Sequence, residues 1–181
     1  VDRLGVIILA AGSSDRMCGK DKILVPVLGH PLIAYSVQTF NDSPIVESIV
    51  LVMNKSNIID GEGLVSQYGW NKVHDVCIGG KRRQDSMAIG LNSLKKTNWT
   101  AIHDGARPFV DHELIERGMS TARAIGAGIA AVPVKDTIKV APHKIITDTL
   151  DRSELWAIQT PQIFRYDVLN TAHDVVRDDV T

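Results

Sequence analysis

Short apolar runs alternate with longer amphipathic stretches along this chain, and the alternation predicts its elements. Val6–Leu9, Val46–Met53, Val73–Ile78, Thr100–His103 and Gly128–Pro133 are brief and rich in Val, Ile, Leu or Ala, the pattern of strands buried on both faces. Between them, Pro31–Phe40, Gln84–Lys95 and Glu113–Ile125 read as helices. Pro31 suits a first helical position, where its missing N–H costs nothing. Asp111, just ahead of the third helix, is a ready N-cap. A β-α-β-α rhythm of this kind predicts an α/β fold, with a mostly parallel sheet and helices on both faces. Ligands of such sheets bind beyond the carboxyl ends of the strands, so the loops after the strands are where chemistry is expected.

The rhythm breaks over 134–156. "DTIKVAPHKIITDTL" is polar and β-branched and reads as two short strands around a turn at Ala141–Lys144. A hairpin with so little to bury is marginal alone. It is expected to project and to pack on something else, such as a second subunit.

Composition narrows the picture. The 181 residues suit a single domain over 1–181. The formal net charge is −1, with acidic and basic residues interleaved, which argues against a nucleic-acid polymer as partner. No apolar run approaches the ~18 residues of a membrane span, and the start carries no signal-peptide pattern. Two cysteines, Cys18 and Cys77, make neither a disulfide framework nor a metal cluster, so a reducing, cytoplasmic setting is expected. The chain begins without Met and stops on the polar "VVRDDVT"; a natural chain longer by several tens of residues is expected.

The loops after the strands carry the candidate chemistry. After Leu9 come Ala10, Ala11, Gly12, Ser13 and Ser14, then Arg16, Lys20 and Lys22. The lack of bulk lets a ligand approach backbone N–H groups, and the cations suit phosphates. The stretch is neither a Walker A loop nor a dinucleotide fingerprint; a plain strand–helix turn with solvated cations is the competing reading. After the Val73–Ile78 strand, Gly79 and Gly80 precede Lys81, Arg82, Arg83 and Ser86, a setting for a flat base or, equally, a basic loop without a role. Asp104 ends a strand beside Gly105 and before Arg107, where a carboxylate can bind ribose hydroxyls or help hold a metal ion. His103 reads as a packing histidine, and no residue spacing makes a zinc site. Together the loops describe a nucleoside-triphosphate pocket without a P-loop.

The stretches "AAGSSDRM", "DKILVPVLGHPLIAYSV", "GGKRRQDSMAIGL", "HDGARPFV", "PVKDTIK" and "LWAIQTPQIF" resemble the 2-C-methyl-D-erythritol 4-phosphate cytidylyltransferases, in that family's order and over nearly the whole chain. The resemblance implies a Rossmann-like nucleotidyltransferase fold with a β-arm, at about 134–156 here, that helps form a homodimer. It implies transfer of a cytidylyl group from CTP to a polyol phosphate with a divalent ion, Mg²⁺, held mainly by the CTP phosphates, and release of pyrophosphate on the non-mevalonate route to isoprenoids. Arg16 and Lys22 would stabilise the transition state, with Arg152 counted beside them as catalytic. Ala10, Ala11, Gly12, Gly80, Lys81 and Ser86 would frame the cytosine and phosphates. Asp104 and Gly105 would meet the ribose and the second substrate, and Arg107 would support their loop. Thr137 and Arg152 on the arm would hold the methylerythritol phosphate across the dimer interface, with Thr160 lining the same region. Metal ligands are not implied.

Some positions depart from the pattern. Asp15 stands where the family often has a second basic residue. Lys20 competes with Lys22, although Lys22 opens "KILVP" and is followed as the family's lysine is followed. A ribitol-5-phosphate cytidylyltransferase, a CTP-binding or dimerising module without turnover, and a sugar 1-phosphate nucleotidyltransferase remain the alternatives.

Overall fold

The computed structural model describes residues 2–12 and 21–175. The expected strands form, mostly with a residue or two more at their ends: β1 (Leu4–Ala10), β4 (Val46–Met53), β5 (Val73–Ile78), β6 (Trp99–Asp104) and β7 (Ala127–Pro133). They join one sheet with β10 (Trp156–Arg165) in the order β5-β4-β1-β6-β10-β7. β1 pairs in parallel with β4 and with β6, and β4 with β5. β10 is antiparallel to both its neighbours. The sheet is therefore mixed and mostly parallel, as the alternation predicts. β10 is the exception: Gln159, Thr160 and Pro161 interrupt its apolar pattern and hide it from a reading by periodicity.

Period-two alternation along β1 divides the core. Leu4, Val6, Ile8 and Ala10 share one buried cluster with Ile33, Val37 and Phe40 of α1 (Leu32–Asp42), Leu64 of α2 (Ile58–Tyr68) and Ile115 and Met119 of α4 (His112–Ile125). Ile7 points to the other face, with Val50 and Val52 of β4, Leu91 of α3 (Arg83–Ser93) and Leu94 just beyond it. Tyr166 and Leu169 of α5 (Tyr166–Val175) pack against that second cluster. Each fully buried side chain of this size contributes about 1.5–3 kcal/mol relative to exposure. Burial on both faces fixes the sheet's register, because a one-residue slip would turn every side chain to the wrong side.

Three expected helices shift slightly. The Pro31–Phe40 helix spans Leu32–Asp42, because Pro31 pairs instead with Pro26 in a small hairpin of β2 (Pro26–Val27) and β3 (His30–Pro31). The hairpin turns at Leu28 and Gly29, both with positive φ. The helix expected at Gln84–Lys95 runs Arg83–Ser93, and that expected at Glu113–Ile125 begins at His112. Asp111 caps the latter, its carboxylate accepting from Leu114 N at 2.7 Å.

The arm forms as a separate hairpin, β8 (Lys139–Val140) against β9 (Asp148–Thr149), with a tight turn over 142–144 in which His143 and Lys144 take positive φ. Residues 139–154 are all exposed, so the hairpin projects from the sheet. Ile145, Ile146 and Leu150 on it, and Trp156 at its base, are exposed apolar side chains.

Candidate active site

The parallel strands deliver their following loops to one edge of the sheet, and a cavity of about 650 Å³ opens there. Leu9, Ala10, Ala11 and Gly12 line it from the end of β1, and Gly80, Lys81, Arg82, Arg83 and Ser86 from the β5–α3 turn. Asp104, Ala106 and Arg107 come from the loop after β6, and Lys22 with Ile23 from the single turn Lys22–Leu24. Three loops predicted to converge do converge.

Close approach between two of them explains their small residues. Gly79 N–H donates to Met53 O at 2.9 Å, so the chain leaves β5 tight against β4. A Cβ at Gly79 would strike the Ala11 methyl and come within 2.8 Å of Ser86 Oγ. Ser86 is buried, and its hydroxyl accepts from Gly80 N at 3.1 Å with Arg82 O and Gly80 O in donor range. It holds the glycine turn in shape. α3 then starts at the cavity wall, and the dipole at its N-terminus suits an anion there. Asp85 folds back on Arg82, accepting from its backbone N–H at 3.1 Å and its guanidinium at 2.7 Å.

Asp104 is the carboxylate among the described lining residues. Arg83 reaches its Oδ1 at 3.1 Å and Arg107 its Oδ2 at 3.0 Å. Burial alone would raise its pKa, but the hydrogen bond from Arg107 and the charge of Arg83 hold it below the ordinary value. Asp104 is therefore an anion clamped between two cations. Gly105 lies just behind it, buried, with its N–H spent on Leu9 O at 2.8 Å. It opens the turn that follows β6 and does not line the cavity.

Thr160 also sits behind Asp104. Its hydroxyl accepts from Asp104 N at 3.1 Å and lies 3.1 Å from His103 Nδ1. The other ring nitrogen, Nε2, is 3.1 Å from Arg107 O. A carbonyl can only accept, so Nε2 carries the proton and Nδ1 accepts from the threonine. Every partner is satisfied by a neutral imidazole. Burial pushes His103 down to about 4, and its ring packs edge-on to Phe40 with centroids 5.0 Å apart. The packing histidine of the sequence is thus also the strut that ties β10 to the Asp104–Arg107 loop.

Of the residues the sequence singled out, Ala10, Ala11, Gly12, Lys22, Gly80, Lys81, Ser86 and Asp104 line the cavity together. Arg16 and Lys20 lie outside the described residues. Thr137 and Arg152 are exposed on the arm and do not line this chain's cavity; Arg152 donates to Lys135 O at 2.8 Å. Arg82 and Arg83 also line it, as their place in the basic run of the β5–α3 loop suggested. Among the described residues no group of three or more His, Cys, Asp or Glu could hold a metal ion.

The family model for 2-C-methyl-D-erythritol 4-phosphate cytidylyltransferase matches residues 4–180. The chain belongs to that family. A cytidylyltransferase of Dehalococcoides mccartyi strain CBDB1 is 43% identical over 176 residues, covering 97% of this chain and 78% of the relative. One from Clostridium acetobutylicum is 41% identical over 170 residues, with 92% and 74% covered. The crystal structure of the 4-diphosphocytidyl-2C-methyl-D-erythritol synthase from Anaerococcus prevotii superposes with a TM-score of 0.85 at 25% identity, covering 99% of this chain and 80% of that one. The Francisella tularensis cytidylyltransferase gives 0.77 at 30% identity, with 96% and 77% covered. Membership makes this chain a nucleotidyltransferase, and its mixed sheet is the family's Rossmann-like fold. Among the described residues no helix is long and apolar enough to cross a membrane.

Proposed function

We propose that the cavity binds CTP and 2-C-methyl-D-erythritol 4-phosphate and joins them, giving 4-diphosphocytidyl-2-C-methyl-D-erythritol and pyrophosphate for isoprenoid synthesis. The observation that carries this is the meeting of a glycine turn, the α3 N-terminus and Lys22 around one cavity at the carboxyl edge of the sheet, in a chain of this family. An oxygen of the substrate phosphate attacks the α-phosphorus of CTP. The bond from that phosphorus to the bridging oxygen of the β-phosphate breaks, and pyrophosphate leaves with the electron pair. A phosphate monoester is mostly dianionic near pH 7, its second pKa being ~6, so the reaction needs no general base. Asp104, the carboxylate on the described wall, is already engaged by two arginines. Catalysis then rests on positioning and on stabilising charge at the reacting phosphorus.

Lys22 supplies a cation there, with Arg16 in the same role. Ala10, Ala11, Gly12, Gly80 and Lys81 frame the base and phosphates, with Ser86 shaping the turn. Asp104, the one acidic side chain on the described wall, could supply a protein oxygen to a Mg²⁺ bound with the triphosphate, which would neutralise part of the phosphate charge. We take residues 1–181 as one nucleotidyltransferase domain in a cytoplasmic setting. We also propose a homodimer in which the arm carries Thr137 and Arg152 to the partner's cavity. The exposed Ile145, Ile146 and Leu150, and the fact that Arg152 does not line its own chain's cavity, support this.

The decisive assay is pyrophosphate release with CTP and Mg²⁺, run with methylerythritol phosphate and ribitol 5-phosphate side by side. Release with methylerythritol phosphate is expected. Release with ribitol 5-phosphate alone reassigns the substrate, and CTP binding without release from either polyol makes the chain a binding module. In the same assay Arg152→Ala is expected to raise KM for the polyol phosphate about 10–100-fold, the worth of a hydrogen bond to a charged group, while KM for CTP stays nearly constant. An equal effect on both would remove Arg152 from the polyol subsite.

A further inference from the structure

Lys22 is held from both sides by residues that do not themselves react. Ile23, next to it, is 2% exposed and anchored in the core. Asp21, on the other side, accepts from Ile23 N at 3.2 Å through Oδ1, capping the turn that begins at Lys22. Its second oxygen, Oδ2, accepts from Asn57 Nδ2. Asn57 is a buried side chain at the junction between β4 and α2, and Ser56 Oγ, 3.1 Å from its Oδ1, fixes which way its amide faces. The bond spans 36 residues of sequence and ties the Lys22 turn to the short connection from β4 into α2. A carboxylate next to a site for a triphosphate works against binding by like-charge repulsion. Its presence there is explained if holding the turn matters more than the repulsion it adds.

We propose that Asp21, braced by Asn57, is a positioning residue that sets where the Lys22 ammonium meets the reacting phosphates. This rests on the reading of Lys22 given above. A lysine is a long, flexible cation, and its useful reach is set by where its backbone starts. A displacement of about 1 Å at a reacting centre can cost about 100-fold in rate. Asp21 thus acts on turnover through Lys22, without touching substrate.

The test is steady-state kinetics of the full chain with CTP, Mg²⁺ and methylerythritol phosphate, with thermal unfolding of each variant. Asp21→Ala removes the cap and the brace. Asn57→Asp sets two carboxylates against each other. Both are expected to lower kcat about 10–30-fold, with KM for methylerythritol phosphate within about threefold, because a displaced lysine stabilises the transition state less well. The exchange variant Asp21→Asn/Asn57→Asp rebuilds the bond with donor and acceptor reversed, and leaves an amide oxygen for Ile23 N. It is expected to recover kcat to within about threefold of the parent. Failure of the exchange to recover kcat in a folded protein would overturn the inference. So would parental kcat in both single variants alongside a large loss in Lys22→Ala, which would leave the role of Lys22 standing. Parental kcat in Lys22→Ala itself would remove the reading on which the inference rests.

Discussion

Lys22→Ala is expected to lower kcat about 10²–10³-fold, the usual loss when one preorganised group stabilising transition-state charge is removed. The side chain is exposed at the cavity wall, so its removal leaves no void, and the melting temperature is expected to stay within a degree or two of the parent. The anchors of its turn, Ile23 and Asp21, remain in place. Loss of turnover with an unchanged melt is the signature of a charge that matters in the transition state. Parental turnover in Lys22→Ala, with a loss in Lys20→Ala, would move the role to Lys20.

The second large effect concerns stability and acid. In the folded protein His103 stays neutral down to about pH 4, whereas in the unfolded chain it takes a proton near 6.5. The unfolded state therefore binds more protons between those values, and stability falls as the pH falls through that window. The contribution is complete above about pH 6.5 and lost by about pH 4. At about 1.4 kcal/mol per pH unit this amounts to about 3 kcal/mol. Protonation would place a donor at Nδ1 facing the Thr160 hydroxyl, which already accepts from Asp104 N. His103→Gln does not titrate and is expected to lose about 3 kcal/mol less than the parent on going from pH 7 to pH 4, read by urea unfolding at each pH. Equal losses in both would mean that His103 is not the acid-sensitive group.

Most of the fold is legible in the sequence because parallel strands buried on two faces leave continuous apolar runs. What escapes is where packing overrides propensity. α2 carries Gly61 and Gly63 in "IIDGEGLVSQY", a composition that argues against a helix. Gly61 is there for contact: a Cβ would come within 3.1 Å of Met53 and 3.2 Å of Val76, so glycine lets α2 lie close on the sheet. α5 is half polar, and it becomes a helix beside the sheet only because Tyr166 and Leu169 find the Ile7 cluster. The site was legible loop by loop, since glycine turns and cations after strands have a local signal. The brace from Asp21 to Asn57 has none, because neither residue is unusual in its own stretch and only the folded sheet brings them together.

The placement of β10 carries a consequence for how such a chain can change over time. The strand that returns from the arm at Trp156 reaches Thr160 four positions later, and Thr160 is the hydroxyl seated behind Asp104. The pairing of β10 with β7 shifts register between Ile158 and Gln162, where Thr160 lies, so gaining or losing a residue there would move the Thr160 hydroxyl off Asp104 N and His103. Length is therefore constrained at the arm's base by the pocket, while residues 141–147, held within this chain by their own hairpin, answer to whatever the arm docks on. Lineages can refashion the tip to suit a new neighbour, but the root of the arm is inherited with the pocket.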